Sequence, residues 1–284
     1  MLSLHTNNAA LSAQNSINRT QGSLSTSMTR LSTGYRINSS MDDAAGLQIA
    51  TRLKAQTSGM AVAMRNTQNS TSMLQTAEGA LDEVSNMVVR MKDLATQASD
   101  ASSTTADKAA MQSEYDALGK ELSNVMTNTS FGGAKLLVGG TIASAMTFQI
   151  GSSTSEKMTV NLATDMTALN TAIGATSGTY TTPGTPGTEL TATANATIDL
   201  LSTALASIGT VRSALGASAN RLEHVYNNLS NISTNSKAAT GRIMDVDFAS
   251  ESSKMTTSQM LLQAGTAMLK QSNSMSSMVM SLLQ

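Results

Sequence analysis

The chain has no cysteine and no tryptophan, and only two prolines and two histidines among its 284 residues. Without cysteine there is no disulfide framework, thiol nucleophile or thiolate zinc site. His5 and His224 are the only histidines, so a histidine metal cluster is excluded, and each alone reads as an ordinary surface or packed residue. Charge is also scarce. The 18 basic and 19 acidic residues sum to −1, which gives no electrostatic case for nucleic acid or an anionic membrane. Leu, Ile, Val and Phe total 52, or 18% of the chain, below the ~20% at which disorder becomes the expectation. Twenty methionines partly fill that gap. Such a chain is apolar enough to fold in part and needs a partner to finish its core.

The shortage of proline permits very long helices, because little in the sequence breaks them. Residues 1–14 carry no basic region and no apolar core, so they do not read as a secretory signal peptide. No run approaches the ~18 apolar residues of a membrane span.

What is present is periodicity. Leu53, Met60, Thr67, Leu74, Leu81, Val88 and Ala95 fall seven apart, with Ala63, Ala77, Val84, Met91 and Ala98 as companions. This predicts one long helix over 42–98. Asp42 and Asp43 stand at its start, where carboxylates satisfy free amides and oppose the helix dipole. Adjacent residues on a helix do not face one point, which argues against a catalytic carboxylate pair. After a polar break at 99–105, Met111, Tyr115, Leu118, Leu122 and Val125 predict a second helix folding back on the first.

The middle changes character. Met146, Phe148 and Ile150 alternate with polar residues, as do Met158, Val160 and Leu162, and the segment between them predicts a β-hairpin. Residues 174–188 are rich in Gly and Thr, hold both Pro183 and Pro186, and read as an exposed loop. Helix returns from about Leu190, with Leu201, Ile208, Leu215, Leu222 and Leu229 in one seven-residue series. A last helix follows Gly241, capped by Asp245 or Asp247. The expected fold is mainly α: a long antiparallel bundle or coiled coil drawn from both chain ends, with a small β-hairpin region in the middle.

The two ends carry the functional signal. The last thirty residues hold one charged side chain, Lys270, and the first eighteen hold none. Both nevertheless bear apolar stripes: Leu4, Leu11, Ile17, Leu24, Met28 and Leu31 in front, and Leu261, Met268, Met275 and Leu282 beside Met255, Leu262 and Leu269 at the back. Their outer faces are Ser, Thr, Asn and Gln, which suits helices touched by other helices on several sides. Two readings follow. Either the arms order only when many copies pack together, since backbone entropy outweighs so few apolar side chains, or they form a coiled coil within one chain. The methionines read as adaptable packing, not as metal ligands.

Several segments resemble bacterial flagellin. The run RLSTGYRINSSMDDAAGLQIATRL, Arg30 to Leu53, is similar to the family's amino-terminal signature. So are Ala77 through Gln97, FGGAKLL at Phe131–Leu137, and LLQAGTAMLKQSN at Leu261–Asn273. The likeness is collinear over about residues 1–140 and 190–284, and its wording is closer to the lateral type with a short middle.

The resemblance implies an exported subunit, threaded unfolded through the flagellar type III apparatus without a cleaved Sec signal. Such a subunit polymerises under a cap into an extracellular filament, and no cofactor or enzymatic activity is implied. It implies the division 1–42 amino-terminal core helix, 43–140 outer-domain helices, 141–189 hairpin and variable loop, 190–242 returning helix and 243–284 carboxyl-terminal core helix. The implied partners are other copies of the chain, the cap, hook–filament junction proteins, an export chaperone and host Toll-like receptor 5. Nucleic acid and membrane are not among them. Leu4, Leu11, Ile17, Leu24, Met28, Leu31, Leu261, Leu262, Met268, Leu269, Met275 and Leu282 would form the self-assembly core. Arg90, Leu94 and Glu114 match the receptor-recognition positions and would also serve subunit contacts, although Val89 replaces the glutamine of well-recognised members. Some relatives carry sugars on outer loops, which makes 174–188 a candidate for the same.

Two other classes share some features. A chemoreceptor-like signalling hairpin is also long and heptad-rich, but the hairpin and Pro-Gly loop fall where its uninterrupted tip would be. A hook–filament junction adaptor shares the overall plan. An enzyme has least support, with no triad, metal constellation or GxxxxGK loop.

Overall fold

The structure, a computed structural model, describes residues 7–282, with side chains as far as Met275. The chain divides into two units, residues 1–57 with 234–284, and residues 58–233.

In the first unit, helix α1 (Asn8–Thr33) opens on Asn7, whose side-chain oxygen accepts from the Ala10 amide. Helix α8 (Phe248–Leu282) opens on Asp247, whose carboxylate accepts from the Ala249 amide at 3.0 Å. Short side-chain oxygens at these positions take up amides that the first helical turn leaves without partners. Of the two expected caps for the last helix, Asp247 is the one used. Asp245 instead forms an isolated antiparallel bridge with Tyr35, flanked by Arg36 N–H to Met244 O (2.6 Å) and Val246 N–H to Gly34 O (3.0 Å).

The paired aspartates also divide their work. Asp43 Oδ1 accepts from the Gly46 amide and starts helix α2 (Ala44–Ala98). Asp42 Oδ2 accepts from the Asn38 and Ser39 amides and pins the preceding loop. These donated bonds, with Arg30 3.5 Å away, lower the Asp42 pKa below the usual carboxylate value.

In the second unit, the seven-residue series of α2 is the core seam: Met60, Leu74, Leu81, Val88 and Ala95 are all buried, as are Ala63, Ala77, Val84, Met91 and Ala98. Helix α3 (Thr105–Asn128) starts with a reciprocal capping box between Thr104 and Asp107 and packs Met111, Tyr115 and Leu122 into the same core. Helix α7 (Ala194–Met244) supplies Leu201, Ile208, Leu215 and Leu222. Length and composition alone would let α7 cross a membrane; its apolar series is occupied by this core. Arg212 on α7 bonds Glu78 (2.7 Å) and Asp82 (2.9 Å) on α2 across the seam's edge.

Strands β3 (Met146–Gln149) and β4 (Lys157–Val160) form the expected antiparallel hairpin, pairing Met146 with Val160. Met146, Met158 and Val160 face the core, and Thr147 and Thr159 face water. A second hairpin lay hidden in the FGGAKLL segment. Strands β1 (Ser130–Phe131) and β2 (Ala134–Lys135) are joined by Gly132 and Gly133 at φ +58° and +85°, two left-handed positions that suit the twist of a two-residue turn.

The segment 174–188 is not the fully exposed loop its composition suggests. Helix α4 (Ala163–Thr176) runs into it, and short helices α5 (Gly178–Thr181) and α6 (Glu189–Ala192) follow. Thr176, Ser177, Thr179 and Tyr180 are buried, while 181–186 are exposed. The reason is a polar clasp. Gln112 on α3 donates to Asp116 and Glu189 at 2.8 Å each and accepts from the Leu190 amide, and Glu189 accepts from the Gly178 amide at 2.6 Å. Tyr115 donates to the Thr176 carbonyl at 2.5 Å. Burial pushes the Tyr180 hydroxyl up to about 12.

Candidate functional site

Apart from Leu4, the expected assembly residues lie on α1 and α8, which pair antiparallel: Asn7 meets Ser272, Ile17 meets Gly265, and Ser27 meets Glu251. The positions turned inward on α8 are Glu251, Met255, Ser258, Leu262, Gly265, Leu269 and Ser272, at alternating spacings of four and three. Those on α1 are Ala10, Ala13, Ile17, Thr20, Leu24, Ser27 and Leu31. This is the seam of a two-helix coiled coil. Gly265 is needed for close approach, since a Cβ there would come within 2.9 Å of Ile17 Cγ1.

The seam is thin. Apart from Ser27 and Glu251, its members are only half-buried. The structure has the arms helical and paired within one chain, as in the second of the two readings. It also leaves the pairing incomplete.

The seam separates the expected assembly residues into two sets. Ile17, Leu24, Leu31, Leu262 and Leu269 are half-buried and face the partner helix of the same chain. Leu11, Met28, Leu261, Met268 and Met275 are exposed, Met268 by 66% and Leu261 by 56%. On α8 the exposed set is itself a heptad series, 261, 268 and 275, one residue removed from the half-buried series 262 and 269. Leu4 and the Leu282 side chain lie outside the described residues.

One layer of the seam was not foreseen. Glu251 is buried, and the Ser27 hydroxyl donates to its Oε1 at 2.6 Å. Lys254 Nζ stands 3.4 Å away and Arg30 Nη1 3.8 Å. The Ser27 bond first, and then the two cations, lower the Glu251 pKa. A signal existed in the sequence: Glu251 stands four residues before Met255, at the spacing that continues the inward series.

The second expected site lies on α2 and α3. Arg90 donates through Nε (2.8 Å) and Nη2 (2.6 Å) to Glu114 Oε1, and both side chains are about half exposed. Val89 beside them is exposed. Leu94 is not on that surface: it is 3% exposed and belongs to the core beneath.

Among the described residues there is no group of three or more His, Asp or Glu able to hold a metal ion.

Comparison with known proteins finds matches toward both ends of the chain. A profile of the bacterial flagellin N-terminal helical region matches residues 4–141, and one of the bacterial flagellin C-terminal helical region matches residues 198–283. A flagellin of Halalkalibacterium halodurans is 39% identical over 94% of this chain and 94% of its own. Flagellin A of Vibrio anguillarum is 33% identical over the whole of both chains. A solved putative flagellar hook-associated protein from Vibrio parahaemolyticus, 17% identical, overlays with a TM-score of 0.58 over 72% of this chain and 100% of that one, a likeness of fold alone.

Proposed function

The chain belongs to the bacterial flagellin family and is a structural subunit that self-assembles into the flagellar filament; we propose that the apolar face which α1 and α8 leave uncovered is the surface through which it does so. The observation that carries this is the second heptad series of α8. Leu261, Met268 and Met275 are regularly spaced, apolar and exposed, while the neighbouring series is already occupied by α1. Exposed apolar series of this kind mark interaction sites, and a helix face with period seven fits another helix.

The experiment is polymerisation of Met268→Asp followed by electron microscopy. The charge would have to be buried unpaired between copies, so the variant should stay monomeric under conditions in which the unmutated chain forms filaments. Uniform filaments from Met268→Asp would sink the proposal.

The family places the protein outside the cell, in the flagellum. Export through the flagellar type III route without a Sec signal, handling by an export chaperone, and contacts with the cap and hook–filament junction proteins belong to this proposal. They are supported by the flagellin-like termini.

Recognition by Toll-like receptor 5 is supported by Arg90 and Glu114, which share an exposed surface. Leu94 would act by holding α2 in place, since it is buried. A receptor reporter assay with Arg90→Ala and Glu114→Ala should show reduced signalling, and no response to the unmutated monomer removes this part of the reading.

A further inference from the structure

Beside the Ser27–Glu251 layer, a cleft of about 450 Å³ opens between α1 and α8. The residues lining it are all of polar types, though their carbon stems form part of the walls: Ser23, Thr26 and Arg30 from one helix, and Ser253, Lys254 and Thr257 from the other, with Glu251 among them. The Glu251 carboxylate is engaged by Ser27 at 2.6 Å. Arg30 is not engaged to the same degree. Its guanidinium stands 3.5 Å from Asp42 and 3.8 Å from Glu251, and its buried Nε has no hydrogen-bond partner among the described residues. That Nε is closed to solvent, so an incoming acceptor would reach the Nη groups, which the chain holds only through these two long ion pairs.

The position of the cleft indicates what supplies it. Lys254 stands seven residues before Leu261, so the exposed series of α8 reads Lys254, Leu261, Met268, Met275 along one line. The cleft is therefore the polar end of the apolar face already assigned to assembly. An interface of Leu and Met alone specifies its axial register weakly, because flexible side chains repack after a one-heptad slip. A charged contact at one end removes that freedom, as polar residues do in coiled coils.

We infer that this cleft receives a carboxylate from a second copy of the chain, bound by Arg30 with Lys254 at the rim, and that this contact sets the axial register between copies. The inference rests on the filament reading above. A guanidinium presents a planar fork of donors matched to a carboxylate, which an ammonium cannot reproduce.

The test compares the full-length unmutated chain with Arg30→Gln and Arg30→Lys in two measurements. One is amide exchange of α1 and α8 in the monomer, and the other is the critical concentration for polymerisation. Both variants should keep monomer protection within twofold, because Arg30 makes only long contacts within the chain. Arg30→Gln should raise the critical concentration about tenfold or more, the size expected for a lost charge-assisted hydrogen bond, and Arg30→Lys should recover only part of it. Polymerisation of Arg30→Gln at the unmutated concentration overturns the cleft assignment and leaves the filament reading intact. Loss of arm protection in the variant monomers overturns it as well, by making Arg30 an intrachain support. Failure of the unmutated chain to polymerise would sink the filament reading, and this inference with it.

Discussion

Glu251 shows how much one side chain can decide. A carboxylate buried in a helix seam is costly unless hydrogen-bonded and paired, and here Ser27 and then Lys254 carry most of that task, with Arg30 at 3.8 Å contributing least. Its pKa is lowered in the fold, so it contributes stability above its unfolded pKa and loses it as pH falls through the folded value. Asp42, lowered by the Ser39 and Asn38 amides, acts in the same direction in the same unit. The expected outcome is arm protection that is level from neutral pH down to about 5 and then declines, the window set by an ordinary carboxylate and a lowered one. Glu251→Gln should flatten part of that decline and show weaker protection at neutral pH. Amide exchange of α1 and α8 across a pH series measures both, and an acid decline identical in the two proteins would contradict the role given to Glu251.

At the scale of elements, much was readable from spacing. The heptads of α2 and α7, the hairpin at 146–160 and the caps at Asp43 and Asp247 follow from periods and side-chain chemistry that each segment carries alone. The clasp on 174–190 was not readable, because Gln112 and Glu189 are 77 residues apart and their composition suggests only solvent exposure. Nor was the division between the two α8 stripes. Leu269 and Met268 are neighbours in sequence and similar in hydrophobicity, yet one faces α1 and the other faces away. The two aspartate substitutions should therefore differ. Leu269→Asp should loosen the α1/α8 pair in the monomer as well as block polymerisation, whereas Met268→Asp should leave the monomer's helical signal unchanged. Circular dichroism of both monomers makes the distinction, and equal losses would mean that the stripes are not separated as the structure has them.

At the scale of the whole molecule, the two units are built to different standards. The unit spanning 58–233 has a large buried core drawn from α2, α3, α4, α7 and the hairpins, and a smaller one of Met60, Ala63 and Leu229. The unit made from the chain ends pairs its helices through half-buried Leu, Ile and Met, with polar contacts at Ser27–Glu251 and Asn7–Ser272. Local stability follows buried apolar contact. Amides of α1 and α8 in the monomer should exchange faster than those of α2, α3 and α7 within 58–233, and should slow on polymerisation. Uniform protection along the monomer would contradict this.

The sequence by itself determined the long helices α2, α3 and α7, through two confined prolines and unbroken heptads, and it determined the family, through signatures at both ends. It also showed that the ends carry more apolar surface than a lone pair of helices can use. Only the tertiary structure decided which part of that surface is used within the chain. Two apolar stripes one residue apart lie about 100° apart around a helix, and local chemistry does not prefer either for the partner. The choice is made by contacts between residues more than two hundred positions apart, Ile17 at Gly265 and Ser27 at Glu251. Once α1 occupies one stripe, the other remains exposed, and it is the one proposed above to meet the next copy.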